Sequence, residues 1–285
     1  MPQPSARTSG ILYIVATPIG NLEDISARAL TTLQKVDTIL AEDTRHSRPL
    51  LIALNIKTPL SSLHKFNEQK KSDVIIQRLL AGESFALISD AGTPLISDPG
   101  FPLVKKARKQ GITVTPIPGP SAIVTALSAA GIPCDSFTFL GFLPARKNAR
   151  KEKLESFKHM QHTIVLYEST HRIIDTLEEI CNIFGDNIEI VLAKELTKIH
   201  ETFLIDTCSK IKDWLLQDKK HQKGEFVILI PPQVEESAKY EIDILAILLQ
   251  ELPSKQAVKL TNIITNTPKN ELYKRAIQLK SKGTP

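Results

Sequence analysis

The chain has 285 residues, 42% of them hydrophobic, and a formal net charge of +5. This size allows two domains, and no apolar run approaches the roughly 20 residues of a membrane-spanning helix. Residues 1–10 lack the apolar segment of a secretory signal, so we expect a cytoplasmic protein with a flexible N-terminus there. The three cysteines form neither a CxxC pair nor a zinc pattern, which predicts buried, reduced thiols and no metal site.

Apolar runs of strand length alternate with amphipathic helical segments over the first part of the chain. Strands are predicted at ILYIVAT, TILAED, FALISD and TVTPIP, and a helix of small residues, SAIVTALSAAG, follows the last of them. Continuous apolar strands are typical of a parallel sheet covered by helices on both faces. Residues 11–119 are therefore predicted to form a doubly wound α/β domain.

The pattern changes in residues 120–233, where shorter strands with fewer crossover helices predict a mixed sheet in a second α/β domain. Two prolines and the polar stretch QVEESAKYE indicate a linker after it. Residues 240–285 are predicted to form two or three helices, and within them residues 254–285 carry seven Lys or Arg against one acid. This basic helical domain indicates a polyanionic partner, with a solvated lysine face as the alternative.

One strand ends in an unusual loop, LISDAGTPLISDPG, which spans Leu87–Gly100. Asp90 follows the apolar strand directly, and a second Ser-Asp pair ends in Asp98. Ligands of open α/β sheets bind at the carboxyl ends of the strands. The Asp90 carboxylate could accept hydrogen bonds from ligand hydroxyls or an ammonium, while Ala91 and Gly92 leave room against the main chain. The alternative is a tight Asx-turn that caps the next helix.

Two neighbouring loops share this small, rigid character. The next strand ends in PGPSA, where Ser121 is predicted to be a helix N-cap with free amides beside it. The first strand opens into ATPIGN, in which Pro18 and Gly20 fix a turn. This turn argues against a Rossmann dinucleotide site and a P-loop. Taken alone, ATPIGN is an ordinary βα loop, whereas SDAGTP and PGPSA, on neighbouring strand ends, predict one wall of a binding pocket.

Charged side chains follow strands in both halves of the chain. Asp43 and Arg45 lie in AEDTRHSR, and Lys194 and Glu195 lie in LAKELTK. A carboxylate beside a cation suits a general base with an anion anchor, and an ordinary surface ion-pair loop is the alternative.

A resemblance to a known family is carried by YIVATPIGNLEDIS, AEDTRHSRPLL, LISDAGTPLISDPG, PIPGPSAIVTALSAAGIP, FLGFLP, YESTHRI, AKELTKIHET and GEFVILI. These stretches resemble the tetrapyrrole-methylase-like superfamily and, within it, the ribosomal RNA small subunit methyltransferase I family. The resemblance implies two αβα domains with S-adenosylmethionine in the cleft between them, a small C-terminal helical domain and a homodimer. It implies 2′-O-methylation of a cytidine in small-subunit (16S) ribosomal RNA, on free RNA or the 30S subunit.

The resemblance also implies the residues that hold the cofactor. In the superfamily the loop after the third core strand usually reads Gly-Asp-Pro, where this chain has Ser-Asp-Ala, so Asp90 carries over and its neighbours do not. The implied cofactor contacts are Pro18, Asp90, Ala91, Gly92, Thr93, Pro94, Ser121, Ala122, Tyr167, Ala193 and Glu225.

For methyl transfer, we expect Asp43 or Glu195 to act as the base or hydroxyl orienter, with Arg45 or Lys194 biasing its pKa and anchoring phosphate. The RNA is predicted to be gripped by Arg146, Lys147, Arg150, Lys151, Lys255, Lys259, Lys269, Lys274 and Arg275. Two alternatives stay open at this point: a tetrapyrrole (precorrin-type) methylase, and a non-catalytic RNA-binding assembly factor.

Overall fold

The computed structural model describes residues 9–232 and 244–282. Most of the predicted flexible N-terminus and nearly all of the predicted linker therefore lie outside the described residues. The described chain contains two five-stranded sheets, each with helices on both of its faces, and three further helices at its C-terminal end. No helix in these two ranges is long and apolar enough to cross a membrane.

The first sheet is wholly parallel, as the sequence predicted, and its strand order is β3-β2-β4-β1-β5. Its strands are β1 (Leu12–Val15), β2 (Thr38–Ala41), β3 (Leu60–Ser62), β4 (Phe85–Leu87) and β5 (Val114–Ile117). Its helices are α1 (Ala27–Lys35), α2 (Thr44–Ala53), α3 (Glu68–Leu80) and α4 (Phe101–Lys109), and a 3₁₀ helix spans Leu22–Asp24. The sequence analysis placed neither β3 nor α2, because β3 has only three residues and α2 contains Pro49.

Helices cover both faces of this sheet because successive side chains of each strand point to opposite sides. In β4, Phe85 and Leu87 pack into the cluster formed with α3 and α4. Ala86, which lies between them, packs into the cluster formed with α1 and α2. The continuous apolar run that identified the strand in the sequence is thus divided between two buried layers.

The second sheet is mixed, which confirms the prediction, and its strand order is β6-β7-β10-β8-β9. Its strands are β6 (Phe137–Phe142), β7 (Thr163–Ser169), β8 (Glu189–Lys194), β9 (Thr202–Thr207) and β10 (Glu225–Ile230). Its helices are α5 (Ala122–Ala129), α6 (Lys147–Glu155), α7 (Ile173–Phe184) and α8 (Cys208–Gln217). Only β6 and β7 pair in parallel, while β10 runs antiparallel to both β7 and β8.

Helix α5 packs on the second sheet although it directly follows β5 of the first. Its side chains Ile123 and Leu127 join a buried cluster with Val165, Val191 and Val227 of the second sheet. The other face of that sheet is covered by α6, α7 and α8. Helix α5 is therefore part of the core of the second sheet.

The C-terminal helices are α9 (residues 244–251), α10 (Ser254–Thr265) and α11 (Lys269–Lys282). They have a small core of their own, formed by Leu245, Val258 and Leu272 with two alanines. Elsewhere in the chain, Cys181 and Cys208 are buried free thiols, but Cys134 is exposed, so the expectation of buried cysteines is wrong for Cys134.

Candidate functional site

Main-chain hydrogen bonds join the loops that follow β1 and β4. The Thr17 amide donates to the Gly92 carbonyl oxygen (2.9 Å), and the Gly92 amide donates to the Thr17 carbonyl oxygen (3.0 Å). The Thr17 hydroxyl also donates to the carbonyl oxygen of Ser89 (3.2 Å). The Thr93 hydroxyl donates to the Pro120 carbonyl oxygen (3.0 Å), which adds the loop after β5. Three strand-end loops are therefore held together as one wall.

A side chain at Gly92, at the centre of this wall, would be strained and crowded. Its φ of +79° lies in the left-handed region, and a Cβ atom there would come within 3.3 Å of the Ile19 side chain. Because Gly92 has no side chain, the main chain itself forms the surface of the wall at this point.

The antiparallel direction of β10 brings Glu225 to the same place. If β10 were parallel to its neighbours, its first residue would lie at the opposite end of the sheet from the cleft. Instead, Glu225 pairs with Ser169 at the end of β7, and Phe226 pairs with Lys194 at the end of β8. The second sheet thus contributes the ends of β7 and β8 and the beginning of β10 to the cleft.

A cavity of about 490 Å³ lies between the two sheets, lined by loops from both. It gathers most of the predicted cofactor residues, namely Asp90, Ala91, Gly92, Thr93, Ser121, Ala122, Tyr167 and Glu225. Ser121 is the N-cap residue of α5, as predicted, but its side chain makes no capping hydrogen bond. Its hydroxyl therefore remains available to a ligand.

Three predicted cofactor residues do not line the cavity. Pro18 and Pro94 are buried in the loops behind its wall, and Ala193 is fully buried in β8, where it pairs with Val227. The sequence analysis in turn missed several lining residues: Ile19, Ser97, Asp98, Phe142, Leu196 and Phe226. Of these, Asp98 had a visible signal, because it ends the second Ser-Asp pair of the glycine- and proline-rich loop.

The Asp43 side chain makes two local interactions, both with Arg45. Its side chain accepts from the Arg45 amide as the N-cap of α2 (2.8 Å) and forms an ion pair with the Arg45 guanidinium (2.7 Å). These hydrogen bonds from Arg45 hold the pKa of Asp43 well below its usual range. Because a carboxylate with so low a pKa is a weak proton acceptor, the arrangement does not favour Asp43 as the base. Arg45 is committed to the same pair.

Glu195 is also tied to its neighbours and does not line the cavity. Its carboxylate accepts from the Glu225 amide (2.9 Å) and from the Lys198 ammonium (2.8 Å). Burial raises the pKa of Glu195, but these hydrogen bonds outweigh it, and the pKa is lowered overall. Lys194 is nearly buried at the end of β8. The contacts of Glu195 and Lys198 with Glu225 hold Glu225 in place.

Asp98 occupies a different environment, inside the cavity. Burial, together with the negative charges of Glu42 and Asp90, raises the pKa of Asp98 to about 6. Burial likewise raises the pKa of Tyr167, on the opposite sheet, to about 12, with the Asp98 charge as the second cause. The cavity thus contains a carboxyl group whose pKa is raised above the usual range of an aspartate.

The predicted RNA-binding side chains are not equally accessible. Arg146, Lys147 and Lys151 are exposed at the start of α6, but Arg150 is only 4% exposed and donates to the Ala145 carbonyl oxygen (3.4 Å). The burial of Arg150 does not fit a direct phosphate contact.

The C-terminal helices carry a second group of the predicted cations. A small pocket of about 110 Å³ between α10 and α11 is lined by Lys255, Lys259, Lys269, Val258 and Tyr273. Lys274 is exposed on α11, and the Arg275 side chain pairs with Glu271 (2.7 Å). Within residues 9–232 and 244–282, no group of three or more His, Cys, Asp or Glu side chains is placed to hold a metal ion.

Comparison with known proteins agrees with this architecture. The family of tetrapyrrole (corrin/porphyrin) methylases matches residues 11–212, which contain most of both sheets and most of the cleft. Among solved structures, diphthine synthase has a TM-score of 0.63 at 13% identity and aligns over 78% of this chain and 90% of its own. A cobalt precorrin-4 methyltransferase has a TM-score of 0.58 at 18% identity, and it aligns over 80% of this chain and 97% of its own. These structural similarities show the fold alone.

Curated relatives define the family more narrowly. Ribosomal RNA small subunit methyltransferase I of Haemophilus influenzae is 48% identical over 93% of this chain and 95% of its own length. The protein of the same name from Escherichia coli O157:H7 is 45% identical over 97% of this chain and 98% of its own length. The RsmI C-terminal HTH domain matches residues 236–280. The chain therefore belongs to the ribosomal RNA small subunit methyltransferase I family.

The raised pKa of Asp98 predicts a pH-dependent gain in stability for Asp98→Asn. Between about pH 4 and pH 6 the folded protein keeps a proton that the unfolded chain has lost, so wild-type stability falls as the pH rises. At pH 7.5 the variant should be more stable by about 1 kcal/mol, a value reduced for the partial solvation of the side chain. Urea unfolding of both proteins at pH 4 and pH 7.5 measures this difference. A variant and a wild type that are equally stable at both pH values would contradict the prediction.

Proposed function

We propose that the protein transfers a methyl group from S-adenosylmethionine to the ribose 2′-hydroxyl of a cytidine in small-subunit (16S) ribosomal RNA. The observation that carries the proposal is the cavity between the two sheets, with its wall of tied strand-end loops. It occurs in a chain whose relatives are named as ribosomal RNA small subunit methyltransferases. The chemistry below follows from the residues that line this cavity.

The residues present fit S-adenosylmethionine. The cavity volume of about 490 Å³ falls within the range of small-molecule sites. Asp90 suits the hydroxyls or the ammonium of the cofactor, and the main chain at Gly92 is open to close contact. Ile19 and the exposed Phe142 provide apolar surface for an aromatic base. The cofactor supplies a methyl group activated by a sulfonium, so the protein needs to orient the hydroxyl and accept its proton.

The RNA is bound by two separate basic surfaces. One is the start of α6, with Arg146, Lys147 and Lys151 exposed. The other is the pocket between α10 and α11, where three lysines surround Tyr273. Lysine ammonium groups neutralise phosphates, and an exposed aromatic ring can stack on an unpaired base. The second surface therefore suits single-stranded RNA.

The protein acts in the cytoplasm as a homodimer, on free ribosomal RNA or on the 30S subunit. Two apolar side chains support the dimer, because Phe66 is 95% exposed and Ile199 is 98% exposed in the single chain. A second copy that covers them would remove this surface from water. Sedimentation velocity at about 20 µM should give the mass of two chains, and a monomer at that concentration would argue against the dimer.

Methyl transfer provides the direct test of the function. Purified protein should transfer labelled methyl from S-adenosylmethionine to 16S ribosomal RNA or the 30S subunit, and nuclease digestion should yield 2′-O-methylcytidine. A tetrapyrrole acceptor should receive none. Labelling of the tetrapyrrole instead would support a precorrin-type methylase. Absence of S-adenosylmethionine binding in calorimetry, together with no transfer to any acceptor, would support a non-catalytic RNA-binding factor.

Gly92→Ala and Gly111→Ala form a matched pair for the cofactor site. Both glycines have a left-handed φ, but only the Gly92 methyl would meet a neighbour, since nothing lies within 4 Å of a Cβ at Gly111. Both variants should lose about 1–2 kcal/mol of stability. Only Gly92→Ala should weaken S-adenosylhomocysteine binding in calorimetry, by about tenfold or more. Equal affinities in the two variants would place the cofactor elsewhere.

Lys259→Ala and Lys269→Ala test the C-terminal basic pocket. Each substitution should weaken binding of a small-subunit RNA fragment and reduce the slope of log affinity against log salt by about 1, because one phosphate contact is lost. Lys35→Ala, which removes an exposed lysine at the end of α1, is the control. Salt slopes that are unchanged in the two pocket variants would mean that these lysines form only a solvated surface.

A further inference from the structure

We propose that Arg172 is a positioning residue that fixes the β6–α6 loop (residues 143–146) and thereby aligns the bound RNA with the cleft. This inference rests on the function proposed above, because it concerns the RNA-binding surface at the start of α6. Arg172 was not among the site residues predicted from the sequence.

The Arg172 guanidinium reaches from the start of α7 to the end of β6. Its Nη1 donates to the Leu143 carbonyl oxygen (3.0 Å), and its Nη2 lies 2.9 Å from a carboxylate oxygen of Glu168. The same group lies 5.9 Å from the ring centre of Phe142, within the range of a cation–π contact. A single side chain therefore touches the last residue of β6, the first residue of the loop and β7.

Glu168 gives this guanidinium a fixed anchor. The Glu168 carboxylate is buried and also accepts from the Ser169 amide (2.8 Å) and the Thr176 hydroxyl (2.7 Å). A buried carboxylate held by several donors has little freedom to turn, and the planar fork of an arginine bound to it takes one orientation. The second arm of the fork therefore holds the Leu143 carbonyl at a defined place.

The far end of the loop is held on α7 as well. Arg150 of α6 is buried, donates to the Ala145 carbonyl oxygen (3.4 Å) and lies 3.8 Å from Asp175 of α7. The Lys147 ammonium lies 3.4 Å from the carboxylate of Glu179, which is buried on α7. Helix α7 and the residue that begins it thus anchor both ends of the loop.

The loop joins the cavity wall to the basic surface over a short length. Phe142 lines the cavity, and Arg146 is the exposed N-cap residue of α6. The four residues 143–146 span at most about 14 Å even when fully extended. A phosphate held at the start of α6 therefore belongs to a nucleotide close to the one whose ribose enters the cleft.

Alignment of the RNA acts on the rate more than on the affinity. The ribose oxygen has to approach the methyl group in line, and a displacement of about 1 Å can cost about 10²-fold in rate. The attraction between protein and RNA depends instead on how many cations meet phosphates. Release of the β6–α6 loop should therefore slow the reaction of bound RNA without changing the number of phosphate contacts.

Trypsin measures whether Arg172 holds the loop. Arg172→Ala removes the donor to Leu143, whereas Arg172→Lys keeps a charge beside Glu168 but lacks the fork that serves two acceptors. Cleavage after Arg146 should be about threefold or more faster in Arg172→Ala, and less accelerated in Arg172→Lys, because the loop opens more often. Cleavage at the wild-type rate in both variants would overturn the proposal.

Arg78 provides the matched control in the first sheet. Like Arg172 it is half-buried, pairs with a glutamate, Glu83, and lies over an aromatic ring, that of Phe85 (4.8 Å). Arg78→Ala and Arg78→Lys remove comparable contacts at the start of β4. They should leave both the cleavage after Arg146 and the methylation rate unchanged.

Single-turnover methylation at saturating small-subunit RNA and S-adenosylmethionine measures the alignment itself. The rate should fall by about 10–100-fold in Arg172→Ala and by less in Arg172→Lys. The dissociation constant of the RNA should change by no more than about threefold, and its salt dependence should stay the same, because the cations of α6 are all retained.

A protein without the α6 cations separates positioning from a purely structural role. In a variant that carries Arg146→Ala, Lys147→Ala and Lys151→Ala, the further change Arg172→Ala should alter the single-turnover rate by less than about threefold, because the surface that Arg172 aligns is gone. An Arg172→Ala effect of the same size with and without these cations would overturn the proposal, since Arg172 would then act on the fold in general.

Failure of this inference is distinguishable from failure of the proposed function. Wild-type protein that methylates no ribosomal RNA would overturn the function. Wild-type protein that does methylate it, together with Arg172→Ala and Arg172→Lys variants within about threefold of its rate, would overturn the role of Arg172 alone. A large loss of RNA affinity with an unchanged rate at saturation would also overturn that role, since Arg172 would then serve binding and not alignment.

Discussion

The two hydrogen bonds exchanged by Thr17 and Gly92 are the constraint on which the cleft depends. They join the loops after β1 and β4, which are neighbouring strands of the first sheet. Without these bonds the two loops would be free to separate beyond the ends of the strands. The left-handed φ of Gly92 and the absence of a side chain allow this contact. Thr93 then extends the wall to the loop that enters α5, so one local conformation positions three loops.

The second sheet completes the site because its strands do not all run in one direction. Antiparallel β10 brings Glu225 beside the end of β7, and this reversal lets loops from both domains enclose a single cavity. Three carboxylates that line this cavity lie beside basic side chains: Asp90 beside His46, Glu168 beside Arg172 and Glu225 beside Lys198. Asp98 lines the same cavity, and burial raises its pKa to about 6.

The sequence was sufficient to predict the strands and turns, which depend on residues that are close together in the chain. Apolar runs that end in glycine, proline and aspartate placed β1, β2, β4 and β5 and the loop of Asp90, because strand ends and turns are local features. It could not give the partners of charged residues: Asp43 forms an ion pair with Arg45 that lowers its pKa, and Arg150 is buried and not on the surface. Asp98 was visible as a repeated Ser-Asp, but the sequence did not show that it lines the cavity between the two sheets.

A crystal structure of the protein with S-adenosylhomocysteine tests the central claim most directly. The account predicts that the ligand lies between the two sheets, against the main chain of Ala91 and Gly92 and within reach of Asp90 and Ser121. It also predicts that the Thr17–Gly92 hydrogen bonds persist in the complex. A ligand bound outside this cavity, or a complex in which the two loops have separated, would contradict the account.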